Sequence, residues 1–241
     1  MTESSDPNLR ILDAPSPNQD ARPEGMPIDA LVLHYTGMTS GAAALARLRD
    51  PSAKVSSHYL VETDGTIYRL VPEARRAAHA GVSHWRGQTA LNGRSVGVEI
   101  VNPGHEWGYR PFPALQMAAV CELCLQILAR HPIPPQNVVG HSDIAPDRKQ
   151  DPGEYFDWEG LAANGVGLWP TEPVVPAPPA SLALPFLSAI GYRTDLPLPL
   201  LLTAFQRRWR QTRVDGEADP ETMAVLAAVA ALHGDPDSHP H

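Results

Sequence analysis

The chain has 241 residues, 43% hydrophobic and 6% aromatic, enough for one full-sized core and a second, smaller one. Charged residues make up 19% and the net charge is −8, so the molecule as a whole repels a phosphate backbone and nucleic acid is excluded as a natural partner. No stretch approaches the roughly 20 apolar residues that span a bilayer, so no membrane insertion by a helix is expected.

In chain order, residues 1–26 are polar and proline-containing and predict an extended arm, lying on the surface or left disordered. They lack the basic start and apolar core of a secretory signal, which points to the cytoplasm; a leader already removed would instead leave the periplasm or cell envelope open. Ile28, Ala30, Leu31, Val32 and Leu33 form an apolar run ending at His34, the pattern of a buried strand. Thr39 and Ser40 can cap a helix over Ala42–Leu48, which Asp50 and Pro51 stop. Tyr59–Glu62 and Thr66–Leu70 flank Asp64-Gly65, a hairpin signal because glycine accepts the positive φ of a tight turn. Ser95–Val101 reads as a strand. Phe112–Arg130, with Leu115, Ala119, Leu123 and Ile127 at spacing four, reads as a long amphipathic helix.

Cys121 and Cys124 lie on that helix; their spacing also occurs in redox pairs and half zinc sites, but without a second pair or a shaping turn they read as core-facing. Strands interleaved with helices predict an α/β domain over residues 27–170, with a mixed central sheet flanked by helices. Residues 172–180 read EPVVPAPPA, a linker over 171–181 that would reach roughly 30 Å in polyproline form at about 3 Å per residue. Three helical patterns follow, Leu182–Ile190, Leu198–Gln211 and Asp219–Leu232, predicting a small all-α domain over 182–232. Residues 233–241, rich in histidine and proline, read as a flexible tail able at most to bind stray metal.

The chemistry concentrates in VVGHSDIAPDRKQDPGEYFDW, residues 138–158, which places His141, Lys149 and Asp151 on an irregular loop after a short apolar strand. His34 ends the first strong strand, where a pocket commonly opens. Two histidines and a carboxylate are a three-ligand set of the kind catalytic zinc uses, with the fourth position left for water. Each histidine, taken singly, also reads as a satisfied core or surface residue.

Five ordered segments, LVLHYTG, SSHYLVETDG, AAHAGVSHWRG, LNGRSVGVEIVN and GHSDIAPDRKQDPG, resemble the N-acetylmuramoyl-L-alanine amidases of the type-2 amidase superfamily, and within it the AmpD/AmiD-like group. The resemblance spans roughly residues 27–170. It implies the type-2 amidase fold, one Zn²⁺ held by His34, His141 and Asp151, and an acidic catalytic Glu99 with a catalytic Lys149. It also implies hydrolysis of the amide between the lactyl group of an ordinary or anhydro-N-acetylmuramic acid and L-alanine of a stem peptide, with peptidoglycan or muropeptides as partners. Elementary chemistry agrees: a carboxylate can carry a proton from water to a leaving amine, and an ammonium can hold an oxyanion.

His79, Trp85 and Arg86 read as pocket wall or substrate contacts, and His58 as packing behind the site. Arg94 and Arg148 suit stem-peptide carboxylates, or equally are solvated surface charges; Glu99 also reads as an exposed strand carboxylate. Relatives of the phage-lysozyme and peptidoglycan-recognition type carry a catalytic tyrosine where this chain has Ser57, which favours a glutamate-centred mechanism. The last three helices resemble, over a shorter match, the three-helix peptidoglycan-binding domain, through Gly191-Tyr192, Phe205-Gln206-Arg207 and the run 214–219. Two other classes remain: a non-catalytic peptidoglycan receptor on the same fold, which would have lost a zinc ligand, and a zinc peptidase acting within the stem.

Overall fold

The structure, a computed structural model, describes residues 9–234. Strands β1 (Ile11–Asp13), β2 (Gln19–Ala21) and β3 (Ala30–Tyr35) lead into helix α1 (Gly41–Arg49). Then come β4 (Tyr59–Val61), β5 (Ile67–Arg69), β6 (Arg75–Ala77), β7 (His84–Trp85), β8 (Gln88–Thr89) and β9 (Ser95–Ile100). Helices α2 (Gly104–Trp107) and α3 (Ala114–Arg130), strand β10 (Val138–Gly140), and helices α4 (His141–Ile144) and α5 (Trp158–Ala163) complete the larger body. Three helices close the chain: α6 (Ala183–Ile190), α7 (Leu198–Trp209) and α8 (Pro220–Gly234).

The central sheet has the order β1-β5-β4-β9-β3-β10, mixed as the sequence predicts. Strands β4, β9, β3 and β10 run parallel, and the predicted hairpin β4–β5 supplies the antiparallel pair, with Gly65 at φ 84° in its turn. Parallel strands covered on both faces need apolar residues on both, which is why Leu31, Val32 and Leu33 form an unbroken buried run rather than an alternation. On one face α3 packs Val120, Leu123, Cys124 and Ile127 against Leu31, Leu33, Val96 and Val98.

Leu115 departs from the expected stripe and is 70% exposed. At 100° per residue a spacing of four drifts about 40° each step, so Leu115 lies about 120° around the helix from Ile127. Gln116 takes the buried position, its Nε2 donating to Val61 O and Val101 O at 3.1 and 2.9 Å. The helix thereby satisfies carbonyls of two strands.

The described part of the N-terminal arm is extended and built in. β1 adds to the sheet beside β5, β2 pairs antiparallel with β6, and Ser16 Oγ donates to Leu48 O. Arg22 donates to Glu73 O, Gly93 O and Ser95 O at 2.8 Å each, joining the Glu73 loop to the start of β9 and the turn before it.

Glu73 pins its own loop to the end of α3, accepting from Tyr59 Oη, Arg130 Nη2 and His131 Nε2 at 2.6, 2.7 and 2.6 Å. Burial alone would push its carboxyl up, but these three donors outweigh it and hold the pKa at about 2, below the ordinary 4.5. A depressed folded pKa means stability that is present above about 4.5 and lost as the pH falls toward about 2. Thermal melts across that window are expected to show a steeper loss for the wild type than for Glu73→Gln, which cannot titrate; parallel curves would remove Glu73 from the acid limb.

The C-terminal helices do not stand off on a spacer. Ala183, Leu187, Ile190, Leu201, Phe205, Trp209 and Leu226 share one core with Val32, Trp85, Leu91, Val139, Ile144 and Ala145 of the larger body. The largely exposed 172–179 stretch is tied to α8, Val174 N donating to Ala224 O at 3.2 Å, because closing the apolar face of the helices against the sheet body outweighs the separation the prolines favour alone. α8 also runs further than the sequence predicts: His233 is a buried helical residue bonded to Val229 O and edge-on to Trp85 and Trp209, and the rest of the expected tail, 235–241, lies outside the described residues. Among the described residues no helix is long and apolar enough to cross a membrane.

Candidate metal centre and active-site pocket

Three neighbouring parallel strands end on one edge, and their carboxyl ends carry the chemistry, the place where open α/β sheets bind ligands. β3 delivers His34, β9 delivers Glu99 directly opposite it in register, and β10 runs through Gly140 into His141. The loop after α4 returns Asp151 to the same point, where Ser142 N donates to Asp151 O at 2.9 Å.

His34 Nδ1, His141 Nδ1 and Asp151 Oδ2 form a nearly equilateral triangle with edges of 2.9, 3.0 and 3.0 Å, all three residues being buried. Donors bonded tetrahedrally at about 2.0 Å stand roughly 3.3 Å apart, so the triangle fits a metal ion with little adjustment. Among the described residues these are the group of histidine, cysteine and acidic side chains so placed. Burial, then the neighbouring His141, push His34 down to about 4, so it is neutral at pH 7 as a ligand must be. Asp151 is buried too, which would raise its carboxyl, but His141 and His34 pull it below the ordinary range.

The triangle opens on a cavity of about 640 Å³ whose lining includes Tyr35, Arg47, His79, Glu99, Arg148 and Lys149. Glu99 Oε2 is buried there without a hydrogen-bond partner among the described residues. An unpaired buried carboxylate oxygen is costly and calls for a partner from outside the chain. Burial raises the Glu99 carboxyl well above its ordinary range, the Asp151 carboxylate adds to that, and Lys149 opposes it.

With this geometry in place, comparison with known proteins is decisive. The N-acetylmuramoyl-L-alanine amidase family matches residues 24–154, more than half of the chain. The chain belongs to the N-acetylmuramoyl-L-alanine amidase family. It is 40% identical over 235 residues to the N-acetylmuramoyl-L-alanine amidase AmiD of Escherichia coli, covering 86% of this chain and 84% of that one. It is 35% identical over 161 residues to the 1,6-anhydro-N-acetylmuramyl-L-alanine amidase AmpD of the same species, covering 60% of this chain and 86% of AmpD. The solved complex of AmiD with anhydro-N-acetylmuramic acid-L-Ala-D-gamma-Glu-L-Lys superposes with a TM-score of 0.77 at 37% identity, covering 89% of this chain and 93% of that chain.

In this amidase fold the two histidines of the triangle are oriented from behind. His34 Nε2 lies 3.0 Å from His79 Nδ1, His79 Nε2 lies 3.1 Å from Ser95 Oγ, and Ser95 Oγ donates to Leu91 O at 2.7 Å. With Nδ1 of His34 facing the metal position, one assignment satisfies the whole string: each outer N–H donates to the next acceptor and the last proton goes to a carbonyl. His141 Nε2 donates in the same way to Ala80 O at 3.2 Å. Asn92 Oδ1 accepts from both His79 N and Ala80 N, so one side chain holds the segment that orients both histidines.

Gly97 makes room for this arrangement, since a methyl there would come within 2.5 Å of the His79 ring. His79→Leu is therefore expected to weaken metal binding by about 10- to 100-fold, the usual cost of losing such a partner. His79→Asn, which keeps an acceptor near the Nδ1 position, should recover part of it; a chelator competition on the folded variants measures both.

The amidase pocket is lined by Glu99, His141, Lys149 and Asp151, with His79 and Arg148 in its wall, and His34 lies behind that lining as the third member of the triangle. Three expected substrate contacts are corrected. Trp85 is 3% exposed, donates through Nε1 to Gln136 O and meets Tyr192 edge to face, inside the contact between the two bodies. Arg86 reaches Gly191 and Ile190 at the end of α6. Arg94 is forked onto Asp29 at the opposite end of the sheet, about five residues of strand or roughly 16 Å from His34. Ser57 is buried and donates to Gly97 O, and His58 Nδ1 accepts from Gly97 N, so neither reaches the pocket. The sequence reading missed a rim string, Tyr35 Oη to His105 Nδ1 at 3.0 Å and His105 Nε2 to Glu154 at 3.1 Å, whose members come from the end of β3, from α2 and from the turn after Asp151 and share no motif.

Proposed function

We propose that this chain is a zinc-dependent amidase that hydrolyses the bond between the lactyl group of an N-acetylmuramic acid and L-alanine of a peptidoglycan stem peptide. The observation that carries the reading is the His34–His141–Asp151 triangle with the unpartnered Glu99 oxygen in the same cavity. A nitrogen-nitrogen-oxygen donor set with an open side suits catalytic zinc better than magnesium or calcium, which prefer all-oxygen shells. Zinc held there supplies electrophilic activation of a water and of the amide carbonyl.

The chain's own residues do the rest. Glu99 takes a proton from the attacking water and hands it to the amine nitrogen as the C–N bond breaks, and its raised proton affinity suits both transfers. Lys149, on the lip of the cavity, offers its ammonium to the oxyanion that develops on the carbonyl. Arg148 and Arg47 add positive charge against the −8 of the whole chain and can meet the carboxylates of the stem peptide. A receptor on this fold has no need of three intact ligands, and all three are present.

The test is mass spectrometry of anhydro-N-acetylmuramic acid tripeptide after incubation, with and without a chelator. Free peptide beginning at L-alanine, abolished by chelation and restored by zinc, is the expected result. An intact but bound muropeptide would establish a receptor instead, and cleavage within the stem would establish a peptidase.

A further inference from the structure

We infer that the C-terminal helices are a working part of the metal centre: Arg208 and Tyr192 are positioning residues that hold Asp143 and, through it, the turn that presents His141. The inference rests on reading His34, His141 and Asp151 as the metal site.

α4 is a single turn of four residues, too short to hold itself by helix propensity. His141 opens it, and Asp143 closes it back onto its start by accepting from Gly140 N at 2.8 Å through Oδ2. Asp143 is 1% exposed, so its charge needs compensation from protein groups. Beyond Gly140 N, the side-chain donors that supply it come from the other body. Arg208 Nη1, from α7, donates to Asp143 Oδ2 at 2.8 Å, and Tyr192 Oη, just past α6, donates to Asp143 Oδ1 at 2.6 Å.

The same guanidinium sends Nη2 to Val138 O at 3.0 Å, so one side chain grips β10 and α4 on both flanks of the Gly140–His141 junction. It is itself held between the rings of Trp158 and Trp209, 4.2 and 4.3 Å from their centroids. Ile144 and Ala145, which follow the turn, are buried in the core shared with α6, α7 and α8.

A buried ion pair seldom stabilises a contact better than apolar residues of the same volume. What the ionic set adds here is direction: one fixed guanidinium fork and one fixed hydroxyl define where α4 sits, whereas an apolar contact tolerates sliding. Apart from its backbone, His141 has Ala80 O as the partner of its outer nitrogen, so a shift of α4 passes directly to Nδ1.

Zinc affinity of the full chain, read by competition with a chromogenic chelator, tests this without any substrate. Arg208→Met is expected to raise the zinc Kd about tenfold, the lower end of what lost outer partners cost. Tyr192→Phe, which removes one hydroxyl and keeps the packing, should raise it a few-fold, and it carries the test if Arg208→Met does not fold. Adding Asp143→Asn to Arg208→Met should cost no more than Arg208→Met alone, since the two act as a unit. Leu187→Ala, a cut in the shared core, should lower the melting temperature and leave the zinc Kd unchanged. Unchanged zinc affinity in folded Arg208→Met and Tyr192→Phe, or an equal loss in Leu187→Ala, would overturn the inference. A wild-type chain that takes up no zinc would overturn the metal-site reading, and the inference with it.

Discussion

Glu99→Gln is expected to keep its zinc and to lose at least about a hundredfold in turnover, the scale of a general acid and base. The substitution preserves shape and removes only the ability to take a proton. Glu99 stands in register with His34 across β9 and β3, so the rigid sheet fixes its distance from the metal ligands and no loop can rearrange to replace it. Its buried, unpartnered oxygen has lost water and gained nothing in the protein, and that is what raises its affinity for a proton. Steady-state kinetics on muropeptide together with elemental analysis of the purified variant separate the two effects. Wild-type activity in a zinc-replete variant would remove Glu99 from the chemistry.

Asp151→Ala is expected to act at the earlier step, by abolishing stoichiometric zinc. Its Oδ2 is shared between His34 and His141, so its loss leaves two ligand nitrogens 2.9 Å apart with no anion between them. The affinity should fall by more than the 10- to 100-fold that a lost outer partner costs, because a bond to the metal itself is removed. Its backbone carbonyl still accepts from Ser142 N, so the loop should keep its course and the variant should fold. Full zinc occupancy in Asp151→Ala would show that another residue ligates.

Much of this was legible in the sequence because it depends on local rules. The run Leu31–Leu33 marks a strand buried on both faces, Asp64-Gly65 marks the β4–β5 hairpin, and Ser40 caps α1 by accepting from Ala43 N, as its position before the helix suggests. The candidate metal ligands His34, His141 and Asp151, and Glu99, sit in motifs that carry their own spacing. Trp85, Arg86 and Arg94 could not be placed in the same way. A tryptophan and an arginine beside a motif histidine look like pocket wall, and only the docking of α6 shows that their side chains face the other body. Asp29, the partner of Arg94, is 65 residues away in sequence. The Pro-rich stretch predicted separation because composition reports the preference of an isolated segment, while its path is decided by the apolar faces on either side of it. Arg208 gave no sign of its position for the same reason: a cation on a helix reads as solvated until the two tryptophans that enclose it are brought together from 158 and 209.

The core that the two bodies share alters what a break in the chain would do. Residues 171–177 are exposed throughout, with Val175 85% exposed, and offer a protease an accessible strand. A cut there severs one covalent connection and none of the contacts made by Leu187, Phe205 or Arg208. The two fragments should therefore separate on a denaturing gel yet travel as one particle in native size-exclusion chromatography, a noncovalent pair that keeps its zinc.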